Sequence, residues 1–224
     1  MGLAGNLTPY YERAASTVGI SSAPSTAANR DLWQGVERHQ KPLDIDSNAE
    51  RILKRGESAN LDALGMTLGR VPLAILSEDH GERRANPYTD MDFYGDVRES
   101  IFRPRYLVRE LRKQPNFEYS GGQAVVRFED RGQGQGVRVF SRDVHTGSVR
   151  VTEAARVILC AGAINSARIA LQSLGLTGSR TTVLCNPYTY MPTVNLAMLG
   201  RPARDRRYSM AQLGGILRLE NTRD

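Results

Sequence analysis

The sequence predicts a mixed α/β chain with α+β local elements, and three observations carry that prediction. Residues 123–152 alternate apolar and polar side chains in short runs separated by glycine-containing turns, the pattern of an antiparallel meander. Val157–Ala161 is then apolar without interruption, as in a strand covered on both faces of a parallel sheet. Gly162 follows, and after it Ile164, Ala167, Leu171 and Leu174 recur at the spacing of a helix with one apolar stripe.

Taken in chain order, Leu7–Ile20 is predicted as a helix, with Thr8 as N-cap, Pro9 at the first helical position and Gly19 as the stop. Residues 21–30, rich in Ser, Ala, Pro and Asn, form a connection. From 31 to 75 helical stretches alternate with breaks, and turns are expected at Gly35, Pro42 and Gly56. Val71–Leu76 reads as a short extended segment, because the residue before Pro72 avoids the helix. Glu78–Gly95 is polar and turn-rich, a surface loop, and Arg105–Lys113 is helical until Pro115 ends it. Within the meander the strands are Gln123–Phe128, Val137–Ser141 and Val149–Thr152, with turns at Arg131–Gly136 and His145–Gly147. The following helix begins at Ala163 and closes at Gly175. Residues 177–224 are loop-rich, with a strand starting at Ile216–Leu219.

A chain of 224 residues has room for one large domain or two small ones, and 40% hydrophobic with 24% charged residues is ordinary globular composition. No run of eighteen apolar residues occurs, so no membrane span is expected. Met1–Leu7 has neither a basic nor a long apolar region, so no signal peptide is expected and a cytoplasmic location follows by default. The net charge of +6 comes from scattered arginines, densest at Arg103–Lys113 and Arg201–Arg207. Without a stripe of interleaved aromatics this suits a solvated basic face or an anionic ligand, not a nucleic-acid partner. Cys160 and Cys185, with only His39, His80 and His145, make neither a disulfide framework nor a zinc site, and Cys160 is expected as a buried thiol.

A buried strand, a glycine and a helix whose N-terminus faces the strand end is how α/β folds place nucleotide phosphates. Two stretches also carry a family resemblance. Leu7–Ala14 (LTPYYERA) with Val18-Gly19-Ile20 resembles a helix of the glucose–methanol–choline oxidoreductases, with Ala15 where that family often has an acidic residue. Arg156–Ser173, following the meander, resembles the family's second signature, with Ala167 in place of a proline or serine and Leu174 in place of a glycine. Together they cover about a third of the chain, in the family's order. The family's Gly-x-Gly-x-x-Gly phosphate loop has no match. Gly132-Gln133-Gly134-Gln135-Gly136 sits between two antiparallel strands and reads as a hairpin turn. No histidine follows His145, so the family's catalytic histidine region also has no match.

The resemblance implies part of an FAD-binding Rossmann-like domain with an antiparallel meander, plus part of a substrate-binding domain. Residues 1–115 would be helix- and loop-rich and partly substrate-side and cap, 116–176 the FAD-binding portion, and 177–224 the start of the substrate-binding domain. It implies FAD as cofactor and hydride transfer from the CH–OH group of a sugar, polyol or similar small-molecule alcohol. Ala161 and Gly162 match the strand end that lies against the adenosine–pyrophosphate portion, and Val125 matches the meander valine whose main chain contacts adenine. For Gly162 the alternative is a glycine ending a strand, for Val125 plain strand core. Ser166 is either a first-turn capping hydroxyl or a group near the cofactor. His145 is expected on an exposed hairpin tip and His80 in an acidic loop that could line a substrate pocket, so no catalytic residue is nominated. The expectation is a central fragment, inactive alone. The other readings are a flavin-fold scaffold without catalysis, a nicotinamide-dependent enzyme and a nucleic-acid binder.

Overall fold

A computed structural model of the chain describes residues 7–23, 39–88, 95–185, 189, 191–194, 196, 199–200, 205, 207 and 211–217. The described elements are α1 (Thr8–Val18), α2 (Ser47–Ser58), β1 (Met66–Arg70), α3 (Pro104–Leu111), β2 (Gln123–Asp130), β3 (Val137–Asp143), β4 (Val149–Ala154), α4 (Gly162–Ser173) and β5 (Leu213–Leu217). The mixture of helices and antiparallel sheets is an α+β arrangement. The chain divides into two compact units, Met1–Glu110 with Asn195–Asp224, and Leu111–Val194. Most of the 21–30 connection, Gly35, the 89–94 part of the predicted loop, the arginines at 201, 204 and 206, and the 218–219 end of the last predicted strand lie outside the described residues.

In the first unit α1 starts one residue earlier than predicted. Leu7 is the N-cap, its carbonyl accepting from the N–H groups of Tyr10 and Tyr11 at 3.0 and 3.1 Å, and Thr8 is the first helical residue. Pro9, with no N–H and a preset φ, fits inside the first turn and needs no side-chain cap before it. Gly19 closes the helix in a left-handed conformation, as predicted. The expected extended segment at Val71–Leu76 is realised as single bridges, Ser21 with Leu73 and Ile75 with Ile101. Pro72 has no N–H to donate, so a regular ladder does not run through it.

Gly56, expected at a turn, lies inside α2. A Cβ there would come 2.6 Å from Leu68 Cδ2, so the glycine lets α2 lie close on β1 without displacing the Leu68 side chain. Asp46 caps α2 by accepting from Asn48 and Ala49 N–H, and exchanges two hydrogen bonds with the Gln212 side chain at 2.6 and 2.9 Å. Asp205 accepts from Ser47 N–H at 2.9 Å. These contacts and the antiparallel β1–β5 pairing, Met66 opposite Leu217 through Arg70 opposite Leu213, anchor the C-terminal segment to residues 46–70.

The apolar core is concentrated here: Ala15, Ala23, Leu43, Ile45, Ala49, Ile75, Leu76 and Tyr106 are all buried. Among them sits a charge. Arg83, 6% exposed, donates from Nη1 to Val18 O at 2.6 Å, from Nε to Glu99 O at 2.9 Å and from Nη2 to Ser100 O at 3.1 Å. Its guanidinium lies 5.5 Å from the ring centroids of both Phe102 and Tyr106. Burial lowers its pKa, opposed by Tyr106, Asp96 and Glu99, but an arginine starts so high that it stays charged. The 96–101 turn is fixed in parallel by Asp96, which accepts from Ser100 N–H, Ser100 Oγ–H and Ile101 N–H.

In the second unit β2, β3 and β4 form the predicted meander, each strand extending past its expected end, with a bulge between Val125 and Arg127. The glycine-rich stretch is a hairpin turn, as read, closed by Arg131 N–H to Gly136 O at 3.0 Å and Gln135 N–H to Gly132 O at 2.9 Å. Helix α4 packs on β2. Ser173 Oγ accepts from Phe128 N–H at 2.8 Å and donates to Ile169 O at 2.7 Å, while Ile169 is 3% exposed.

The buried strand expected at Val157–Ala161 does not form. The segment has no strand partner among the described residues, and Ile158 is 85% exposed. Such a strand requires neighbours for its N–H and C=O groups and cover for both faces, and the described part of this unit supplies neither. Cys160, expected buried, is exposed for the same reason.

Arg83→Met leaves one buried and two part-buried carbonyls without their donor and should cost roughly 3 kcal/mol of stability. Hydrogen exchange at residues 19–22 and 99–102 should accelerate, and unchanged protection there contradicts the clamp. Asp205 offers a pH test. Hydrogen bonds from the Arg207 guanidinium, then from the N–H groups of Arg207 and Ser47, hold its carboxyl well below the usual range. A depressed carboxyl contributes stability above its unfolded pKa and loses it as the pH falls. Asp205→Asn should therefore lower the melting temperature at pH 7, with the deficit shrinking below about pH 4.

Candidate functional site

Gly162 is the first residue of α4, and its φ of +79° is one that residues with a Cβ adopt only under strain. A Cβ built there would meet nothing within 4 Å, so packing does not demand the glycine; the backbone turn does, and it leaves the main chain open to close approach. Ala161 is the N-cap residue and supplies no side-chain cap, and the first turn carries no acidic residue. The positive end of the helix dipole is thus left without a carboxylate of its own. Ser166 Oγ accepts from Ala161 N–H at 3.1 Å. The Ser166 hydroxyl therefore has the local capping role, folding back on the turn that precedes it.

Val125 lies in β2 opposite Ser141, half-buried, directly before the bulge. Its carbonyl accepts from Arg168 Nη2 at 3.2 Å. Arg168 belongs to α4, so the element carrying Gly162 and the strand carrying Val125 are joined through one guanidinium. Arg168 makes no ion pair with a carboxylate among the described residues. The structure therefore carries Val125 on β2 and Ala161 and Gly162 at the head of the helix that packs on it, with Arg168 of that helix bonded to the Val125 carbonyl. Sequence reasoning missed Arg168. The stripe expected at Ile164, Ala167, Leu171 and Leu174 is not the buried face, since Ile164 and Leu174 are 74% and 66% exposed while Ile169 is buried. Helical spacing therefore revealed neither the place of Arg168 nor its reach to a strand carbonyl.

The residues present partly fit a dinucleotide. An open backbone at Gly162, a helix N-terminus without a carboxylate in its first turn and a guanidinium without a carboxylate partner suit an anionic, hydrogen-bonding ligand. The glycine-rich stretch of this unit is committed to its hairpin and offers no phosphate cradle.

The histidines separate clearly. His145 stands on the β3–β4 turn, as expected, where Asp143 accepts from the N–H groups of Thr146 and His145 at 2.8 and 2.9 Å. Those bonds, that of Thr146 first, lower the Asp143 pKa and define a structural turn. His80 lines a cleft of about 300 Å³ in the first unit, together with Arg83, Phe102 and Tyr106. Among the described residues no group of His, Cys, Asp and Glu is arranged to hold a metal, and no helix is long and apolar enough to cross a membrane. Neither a protein-family model nor a curated protein matches the chain.

Proposed function

We propose that this chain supplies the central part of an FAD-dependent oxidoreductase acting on the CH–OH group of a sugar, polyol or similar alcohol. The observation that carries the reading is the open, positive-φ Gly162 at the head of a helix tied through Arg168 to Val125. In this reading the main chain at Ala161–Gly162 lies against the adenosine–pyrophosphate half of FAD, and Val125 contacts the adenine. Bound FAD supplies the hydride acceptor. The chain's own residues bind and orient. The α4 N-terminus favours negative charge, and Gly162 permits the close approach that charge requires. No residue is assigned the hydroxyl proton. A second reading, a flavin-fold scaffold that binds without catalysis, is favoured by the placement of His145 on a hairpin tip rather than beside α4.

The isolated 224-residue chain is expected to purify colourless and to oxidise no alcohol; a yellow, active preparation overturns the fragment reading. Binding is tested separately by titrating ADP and following backbone amide resonances. Shifts should concentrate at Val125, Ala161 and Gly162. Gly162→Ala, which must adopt a strained φ, should weaken them roughly fivefold or more. A wild-type chain whose amides there ignore ADP does not support the FAD reading.

A further inference from the structure

Strand β2 is an outer strand of its sheet, and its free edge is only partly covered. Val144 N–H donates to Gly122 O at 2.9 Å, and the alternation of bonds along an antiparallel pair then turns the N–H and C=O of Val125 away from β3. Helix α4 meets that edge with two side chains. Ser173 Oγ takes the Phe128 N–H at 2.8 Å, and Arg168 Nη2 donates to Val125 O at 3.2 Å. The Val125 N–H keeps no side-chain partner among the described residues.

The two contacts differ in kind. Ser173 is half-buried and also donates to Ile169 O at 2.7 Å, so its hydroxyl is fixed from both sides. Arg168 is exposed, makes this one bond and has no carboxylate beside it among the described residues. One neutral acceptor holds it, and most of its N–H donors remain unused.

A bare strand edge offers an N–H beside a C=O. Its complement is a ring nitrogen beside an amino group, the pattern of adenine. Arg168 spoils that match, because it covers the acceptor and sets a donor against the adenine amino group.

We propose that Arg168 is an anion-operated latch, which closes the Val125 edge to a base until a phosphate draws the guanidinium away. A phosphate offers parallel bonds and an opposite charge against a single bond to a neutral carbonyl, so the exchange favours the anion. The freed carbonyl then accepts from the base. The edge thus takes a nucleotide that carries phosphate and refuses the bare nucleoside. Adenine as the base rests on the flavin reading, whereas the latch needs only an anion.

Adenosine, ADP and inorganic pyrophosphate are titrated into the full chain, and the Val125 and Val126 amide signals are followed. In the wild type, pyrophosphate and ADP should move both signals saturably, and adenosine should bind weakly. Arg168→Ala removes the latch. Adenosine should then bind roughly threefold to tenfold more tightly than to the wild type, and pyrophosphate should move neither signal. Arg168→Gln keeps a donor for Val125 O without the charge, so pyrophosphate should have no effect and adenosine should stay weak. The Phe128 and Ile169 amide signals report whether α4 remains docked, and Arg168→Gln carries the test if Arg168→Ala undocks it. Pyrophosphate that leaves the wild-type signals in place, or moves them equally in the variants, overturns the latch whatever ADP does. Where ADP binds, adenosine that gains nothing from Arg168→Ala overturns it too. A pyrophosphate response confined to the wild type, with no binding of ADP, keeps the latch and overturns the adenine assignment instead.

Discussion

Arg83 donates to the carbonyls of Val18 and of the adjacent Glu99 and Ser100, and so ties together two segments that are far apart in sequence. One is the C-terminal end of α1, where helix carbonyls have no intrahelical donor. The other is a turn between two bridged segments, where strand pairing is too short to satisfy the main chain. A carbonyl taken from water without a donor is costly, and a rigid fork of N–H groups serves one buried and two part-buried carbonyls with one side chain. The placement of Leu76, Ser21 and Ser100, all nearly inaccessible, follows from that convergence. A buried charge is tolerable here because its donors are directed at oxygens and its faces are covered by Phe102 and Tyr106.

The second unit is built differently. Ile169 is its one fully buried apolar residue among those described, and every residue of β4 is exposed. Its helix is fixed to its sheet by side chain to main chain hydrogen bonds from Ser173 and Arg168 at least as much as by apolar contact. Bonds of this kind specify geometry and contribute modestly to stability. They orient α4 so that its first residue, Gly162, is presented to solvent and not packed away.

How much of this was legible follows from the range of the interactions concerned. The meander was readable because period-two alternation and glycine turns are local, and the three strands emerged in order. Helix α1 was readable from Pro9 and Gly19, and only its cap was misplaced. Gly56 read as a break because its reason for being glycine, the Leu68 side chain, lies outside any local window. The β1–β5 pairing and the Gln212–Asp46 exchange join residues too far apart for pattern to reveal them. Val157–Ala161 was misjudged because an apolar run reports what a segment needs, not what surrounds it. At the candidate site Gly162 was legible as a residue type. Arg168 and the burial of Arg83 depended on tertiary hydrogen bonds that composition does not encode.

The run Val157-Ile158-Leu159-Cys160-Ala161, exposed at Ile158, Cys160 and Ala161, also has a colloidal consequence. It is free of charge and proline, and rich in β-branched and aliphatic side chains, the composition that self-associates strand to strand. Arg156 guards its leading end as a charged gatekeeper, and Gly162 interrupts it at the other by turning the backbone into α4. Solubility of the second unit at high concentration therefore rests on one arginine and one glycine flanking an uncharged run in which Ile158, Cys160 and Ala161 are exposed. The same glycine that opens the main chain to a ligand also limits how far a foreign strand can extend along it.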